Sequence, residues 1–119
     1  MQWNNLKEML RHYDADCKYA GIPPGWINIV DILIQDLIAM GWDRELRQIK
    51  SKFGVLCFYI DSKDKAIVAR IGEACFASSK TCEECGSEAK LENTNGWYRT
   101  VCADCLATKA WEIRRKNAI

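Results

Sequence analysis

This 119-residue sequence contains a single histidine, His12, and only two prolines, the neighbours Pro23 and Pro24. No stretch approaches the roughly 18 uninterrupted apolar residues of a membrane span. The start, MQWNNLKEMLRHYD, lacks a basic head followed by an apolar run, so no secretory leader is expected. Internal repeats and low-complexity segments are also missing. These shortages leave an ordinary globule, 49 % apolar and 28 % charged, of one domain or one domain with a small appendage. The expected location is the cytoplasm, with no membrane association.

Seven cysteines are present, an odd number in a chain that reads as cytosolic. Reduced thiols and a metal site are favoured over a disulfide framework. The formal net charge is +1 but unevenly spread. Residues 31–43 carry Asp31, Asp36 and Asp43 against no base, and residues 44–52 carry Arg44, Arg47, Lys50 and Lys52 against Glu45. The C-terminus adds Lys109, Arg114, Arg115 and Lys116 against Glu112. Four thiolates and a zinc ion would bring the total to about −1, so bulk charge does not announce nucleic acid.

Trp3, Leu6, Met9, Leu10 and Tyr13 fall at helical spacing and predict an amphipathic first helix. AGIPPGW stops it, and GWINIVDILIQDLIAMG predicts a second helix, apolar nearly all round, with Asn28, Asp31, Gln35 and Asp36 as a polar stripe. Such a helix is central to a core, or it forms a homodimer contact through residues 26–40. WDRELRQIKSKFG reads as a third helix, with Leu46, Ile49 and Phe53 inward and the bases outward. VLCFYI reads as a strand, and DKAIVARIGEACFASSK as a further helix. The strand at 55–60 is expected to pair with a hairpin further on.

That hairpin lies between two thiol pairs. Cys82-x-x-Cys85 and Cys102-x-x-Cys105 stand sixteen residues apart, a strong zinc signature. In each pair one tight turn points two sulfurs at one ion, and Gly86 follows where such turns want a left-handed residue. Between the pairs, KLENTNGWYRTV predicts two strands around Asn95-Gly96. After Cys102, Leu106, Ala110 and Ile113 predict a closing helix. Knuckle, hairpin and helix make a treble clef, and four thiolates make one zinc ion structural. The spacing also admits an iron–sulfur cluster. A His-Asn-His nuclease needs a histidine at the hairpin, and His12 is far outside it.

Three segments, RQIKSKFGVLCFYI, CFASSKTCEECG and GWYRTVCADC, carry a family resemblance. They resemble a pattern in small phage- and prophage-encoded proteins, in which QIKEKFG-x-LRFY precedes a helix and a four-cysteine module with GW-x-x-T-x-C-x-x-C. The resemblance spans residues 26–105. It rests on Ile49, Lys50, Lys52, Phe53, Gly54, Leu56, Phe58, Tyr59, Cys82, Cys85, Trp97, Cys102 and Cys105. Cys57 stands where the family usually has Arg, so a role for that arginine does not carry over. The resemblance implies a source and a fold more than an activity.

The expected architecture is α+β: a helix-rich part (1–80) with a small antiparallel sheet, integrated with a treble-clef zinc module (81–119). His12, Asp14 and Asp16 read as a solvated helix end more readily than as a metal or acid–base cluster, and Cys17, Cys57 and Cys75 as buried hydrophobes. No catalytic constellation stands out, which points to a non-catalytic binding protein. Its expected role is a phage accessory factor or inhibitor acting on a bacterial host or defence protein, for example an anti-CRISPR. The alternative is a nucleic-acid-binding regulator using the basic helix and the C-terminal tail. Candidate contacts are Arg44, Arg47, Lys50, Lys52, Trp97, Arg99, Trp111, Arg114 and Arg115.

Overall fold

The computed structural model describes residues 3, 5–15, 17, 19–94 and 96–108. The elements, in order, are α1 (Leu6–His12), β1 (Tyr19–Ala20), a 3-10 turn (Pro24–Trp26) and α2 (Ile27–Ala39). Then come β2 (Gln48–Lys52), β3 (Val55–Tyr59), α3 (Lys65–Ser78), β4 (Lys90–Thr94), β5 (Trp97–Val101) and α4 (Ala103–Thr108). This is an α+β fold with a three-stranded sheet, β1-β2-β3, and a separate two-stranded one, β4-β5.

α1 and α3 start where a side chain satisfies their unpaired N–H groups. Asn5 caps α1 by accepting from the Glu8 N–H at 2.8 Å. Asp64 caps α3 by accepting from Ala66 and Ile67. The expected apolar helix is α2, with Val30, Leu33, Ile34 and Leu37 wholly buried among Met9, Trp26, Ile49 and Leu56. Its apolar side is therefore packed on the chain's own core, leaving Ile32 exposed. The helix ends at Met40 and Gly41, with Gly41 in the left-handed region that glycine enters without steric cost.

Asp31, placed by the sequence in a polar stripe, is buried and receives three hydrogen bonds. Trp3 Nε1 donates at 3.1 Å, Gln35 Nε2 at 3.0 Å, and the Tyr13 hydroxyl donates to Oδ1. Burial pushes its pKa upward, but the bonds from Tyr13, Gln35 and Trp3 outweigh that and hold it below the usual value. A buried carboxylate with three donors ties α1 to α2.

Two expectations are corrected. Residues 42–54 do not form a helix: Gln48–Lys52 is a strand paired antiparallel with Val55–Tyr59, Ile49 opposite Phe58 and Lys52 opposite Val55. Phe53 and Gly54 turn the hairpin with φ of +54° and +79°, the left-handed conformation that tight two-residue hairpins require. Leu46 and Ile49 are buried as expected, but Phe53 sits at the turn and is 68 % exposed. Spacing of three and four residues fits a helix, yet Ile49 also fits the inward face of a strand, and the available partner decides. Residues 42–54 accordingly present no basic helix face.

The second correction concerns β3. It joins β2, and β2 joins the parallel β1, rather than the hairpin between the cysteine pairs. The outer edge of β3 is covered by α3, whose Ser78 hydroxyl oxygen accepts from the Leu56 N–H at 2.9 Å. An edge closed by a helix has no backbone left to recruit a further strand there.

Candidate metal centre

The first thiol pair lies in a tight knuckle. Cys82 N–H donates to the Ser87 carbonyl at 2.7 Å, and Gly86 N–H donates to the Cys82 carbonyl at 3.0 Å. Gly86 takes a φ of +81° where a side chain would be strained. The second pair follows β5: Cys102 precedes α4 and Cys105 lies in its first turn, its N–H donating to Cys102 Sγ at 3.5 Å. β4 and β5 pair in register, Lys90 opposite Val101 and Thr94 opposite Trp97. That hairpin carries Cys102 back to the knuckle. Gly96 turns it with a φ of +83°, while Asn95 lies outside the described residues.

The four sulfurs of Cys82, Cys85, Cys102 and Cys105 all lie within 4.8 Å of one another, and Cys85 Sγ is 3.7 Å from Cys102 Sγ. Sulfurs around one ion at about 2.3 Å in a tetrahedron stand about 3.8 Å apart. The set is therefore compact enough to hold one metal ion, with four soft donors suited to zinc or iron. The Cys105 backbone N–H, followed by the Ser87 hydroxyl, holds the Cys102 thiol down at about 6. The Ser87 hydroxyl, 2.9 Å from Cys85 Sγ, also lowers Cys85. Burial, and then the neighbouring thiols, push Cys105 up. Crowded thiols resist collective ionisation, and a bound cation removes that resistance.

The centre is docked by residues the motif did not single out. Gly25 N–H donates to the Glu83 carbonyl at 2.7 Å, and Trp26 Nε1 donates to the Thr81 carbonyl at 2.9 Å. A Cβ on Gly25 would collide with the Cys82 and Glu83 carbonyl groups. Glu83, inside the knuckle, is buried. Its N–H donates to the Thr100 carbonyl at 2.8 Å, while its carboxylate accepts from Thr100 N–H at 3.0 Å and Ser51 Oγ at 3.3 Å. Burial pushes its pKa up despite those bonds. Thr100 Oγ1 in turn donates to the Gly54 carbonyl at 2.7 Å, pinning β5 to the β2–β3 turn. The signals in the sequence were Gly25 beside two prolines and an acid between the cysteines, neither specific alone.

The nominated contact residues scatter. Arg44 donates from Nη1 to the Tyr13 carbonyl at 2.9 Å, and Arg47 pairs with Asp61 on an exposed rim. Lys50 and Lys52 lie on the outer side of β2. Trp97 is exposed, with the buried Arg99 guanidinium 5.5 Å from its ring centroid. Trp111, Arg114 and Arg115 lie outside the described residues, as does Asp16. His12 packs against Trp3 and Tyr13, with ring centroids 4.8 and 4.9 Å away.

The fold and the cluster define a small α+β protein with a four-cysteine centre able to hold metal. No helix among the described residues is long and apolar enough to cross a membrane. Comparison with family models, with curated proteins and with solved structures found no match.

Proposed function

We propose that this is a non-catalytic binding protein whose four cysteines hold one structural zinc ion in a treble-clef arrangement. The observation that carries the reading is the closure of the thiol set. Four protein sulfurs within 4.8 Å of one another would fill a tetrahedral site around one ion and leave no position for water or substrate. A closed zinc neither polarises a carbonyl nor activates water. Knuckle, hairpin and short helix follow in the order that a treble clef requires. The resemblance to phage-encoded zinc proteins adds a setting: a bacterial cytoplasm, with an accessory factor acting on a host component or a defence system.

Metal analysis and pull-down test the two halves of this reading. Purified protein is expected to hold one zinc per chain, without the visible absorption of an iron–sulfur cluster. Zinc-loaded protein is expected to capture a specific component of bacterial lysate and to turn over no substrate. Iron and sulfide in the purified protein would overturn the metal assignment, and turnover would overturn the non-catalytic role. The alternative, nucleic-acid binding, moves away from a basic helix. It is favoured instead by the lysines and aromatic rings that share one face of the three-stranded sheet.

A further inference from the structure

Residues paired across strands point to the same side of a sheet. Ile49, Leu56 and Phe58 point into the core. Gln48, Lys50 and Lys52, with their alternating partners on β3, therefore point outward. Tyr19, Gln48 and Tyr59 form one row across all three strands. Lys50 with Cys57 forms the next row, and Lys52 with Val55 the last. Both tyrosines are exposed, Tyr19 at 61 % and Tyr59 at 45 %.

Two strands apart, Tyr19 and Tyr59 stand about 10 Å from each other across Gln48. They border an open depression of about 980 Å³, whose walls include Arg47 and Ile60. Gln48 lines this depression, and no hydrogen bond engages its side-chain amide among the described residues. Lys50 follows about 7 Å along the strand and Lys52 about 13 Å along. Beyond them lies the turn residue Phe53, whose ring centroid is 5.7 Å from Lys52 Nζ. None of the outward residues of the three rows is acidic, and Asp61 at the rim is paired with Arg47.

We propose that this face binds single-stranded nucleic acid. Neighbouring bases stack one on the Tyr19 ring and one on the Tyr59 ring, either side of Gln48, and the adjoining phosphates lie at Lys50 and Lys52. The proposal rests on the non-catalytic binding reading and names the partner's chemistry. Exposed rings offer stacking to unpaired bases of any sequence, whereas a duplex hides its base faces. Lysine is depleted in the cores of protein–protein interfaces, yet here Lys50 occupies the middle row of the face and Lys52 its last row. With so few cations, binding is expected to be modest and strongly weakened by salt.

Fluorescence anisotropy tests this with zinc-loaded full-length protein. The probes are labelled single-stranded DNA and RNA of about 12 nucleotides and the matching duplex. The single strands are expected to bind more tightly than the duplex, and the two sugars to separate a DNA role from an RNA role. Tyr59→Ala is expected to weaken binding about tenfold or more. Lys50→Glu with Lys52→Glu is expected to weaken it and reduce the salt slope by about 1.4. Phe76→Ala removes an exposed ring on α3 and is expected to leave affinity unchanged. Unchanged zinc content and thermal midpoint show that each variant is folded.

Equal affinity for duplex, or wild-type affinity in both face variants, overturns the proposal. So does failure of both single strands to bind at low salt, including the case in which a lysate protein is captured on the same face. An intact but unbound probe removes this site and leaves the non-catalytic reading standing. A bound probe that is cleaved or modified removes the non-catalytic reading and leaves the site.

Discussion

The two halves of the molecule are held by different forces. The part built from α1, α2, α3 and the three-stranded sheet buries a continuous apolar core, with Trp26, Met9, Leu33, Ile34, Leu37, Ile49 and Leu56 fully enclosed. The part built from β4, β5 and α4 has almost no such interior. Its buried residues include Cys82, Glu83, Arg99, Thr100 and Val101, and α4 buries none among the described residues. The first part folds because apolar surface leaves water. The second is too small for that; polar contacts dock it to the first, and the metal proposed for its four cysteines would supply the remaining hold.

Removing the metal sets the halves furthest apart. Cys82→Ser, or chelation, is expected to abolish stoichiometric zinc and the protection of β4 and β5 amides from hydrogen exchange. Structural zinc supplies on the order of 10–16 kcal/mol to small domains. Amides of α2 are expected to stay protected. Loss of protection throughout the chain would show that the core also needs the metal.

Gly25→Ala attacks the joint between the halves. Its Cβ would meet the Cys82 and Glu83 backbone, which must move apart. The expected cost is about 1–3 kcal/mol, read as a lower denaturant midpoint, together with weaker zinc retention. A midpoint and zinc affinity equal to wild type would separate the docking contact from stability.

Asp31→Ala attacks the core alone. It leaves the Trp3, Tyr13 and Gln35 donors without their acceptor, at an expected cost of about 1–3 kcal/mol with zinc content unchanged. The folded pKa lies below the unfolded value. The carboxylate's stabilisation is therefore complete above about pH 4 and is lost as pH falls through the folded value. Asp31→Asn is expected to flatten that part of the stability–pH curve, and an unchanged acid limb would count against it.

The smallest effects belong to single contacts. Thr100→Val removes the donor to the Gly54 carbonyl in a buried position and is expected to cost about 1 kcal/mol by denaturant titration. Arg47→Ala breaks an exposed pair with Asp61 and is expected to change stability by less than about 0.5 kcal/mol. A larger change would make that rim part of the core's support.

Local chemistry by itself determined much of this chain. Each Cys-x-x-Cys turn brings its own two sulfurs together, the hairpin signal between the pairs brings the turns together, and the four sulfurs do converge. Apolar periodicity marked α2, and a β-branched and aromatic run marked β3. The rest needed partners outside the segment concerned. Residues 48–52 suit a helix until Tyr19–Ala20 and Val55–Tyr59 offer backbone pairing on both sides. Asp31 reads as a surface polar residue until Trp3 and Tyr13 arrive to satisfy it. Gly25 reads as part of a turn until the knuckle closes against it. Only the tertiary structure decided these, because hydrogen bonds and steric exclusion between separate segments leave no periodic trace in either segment.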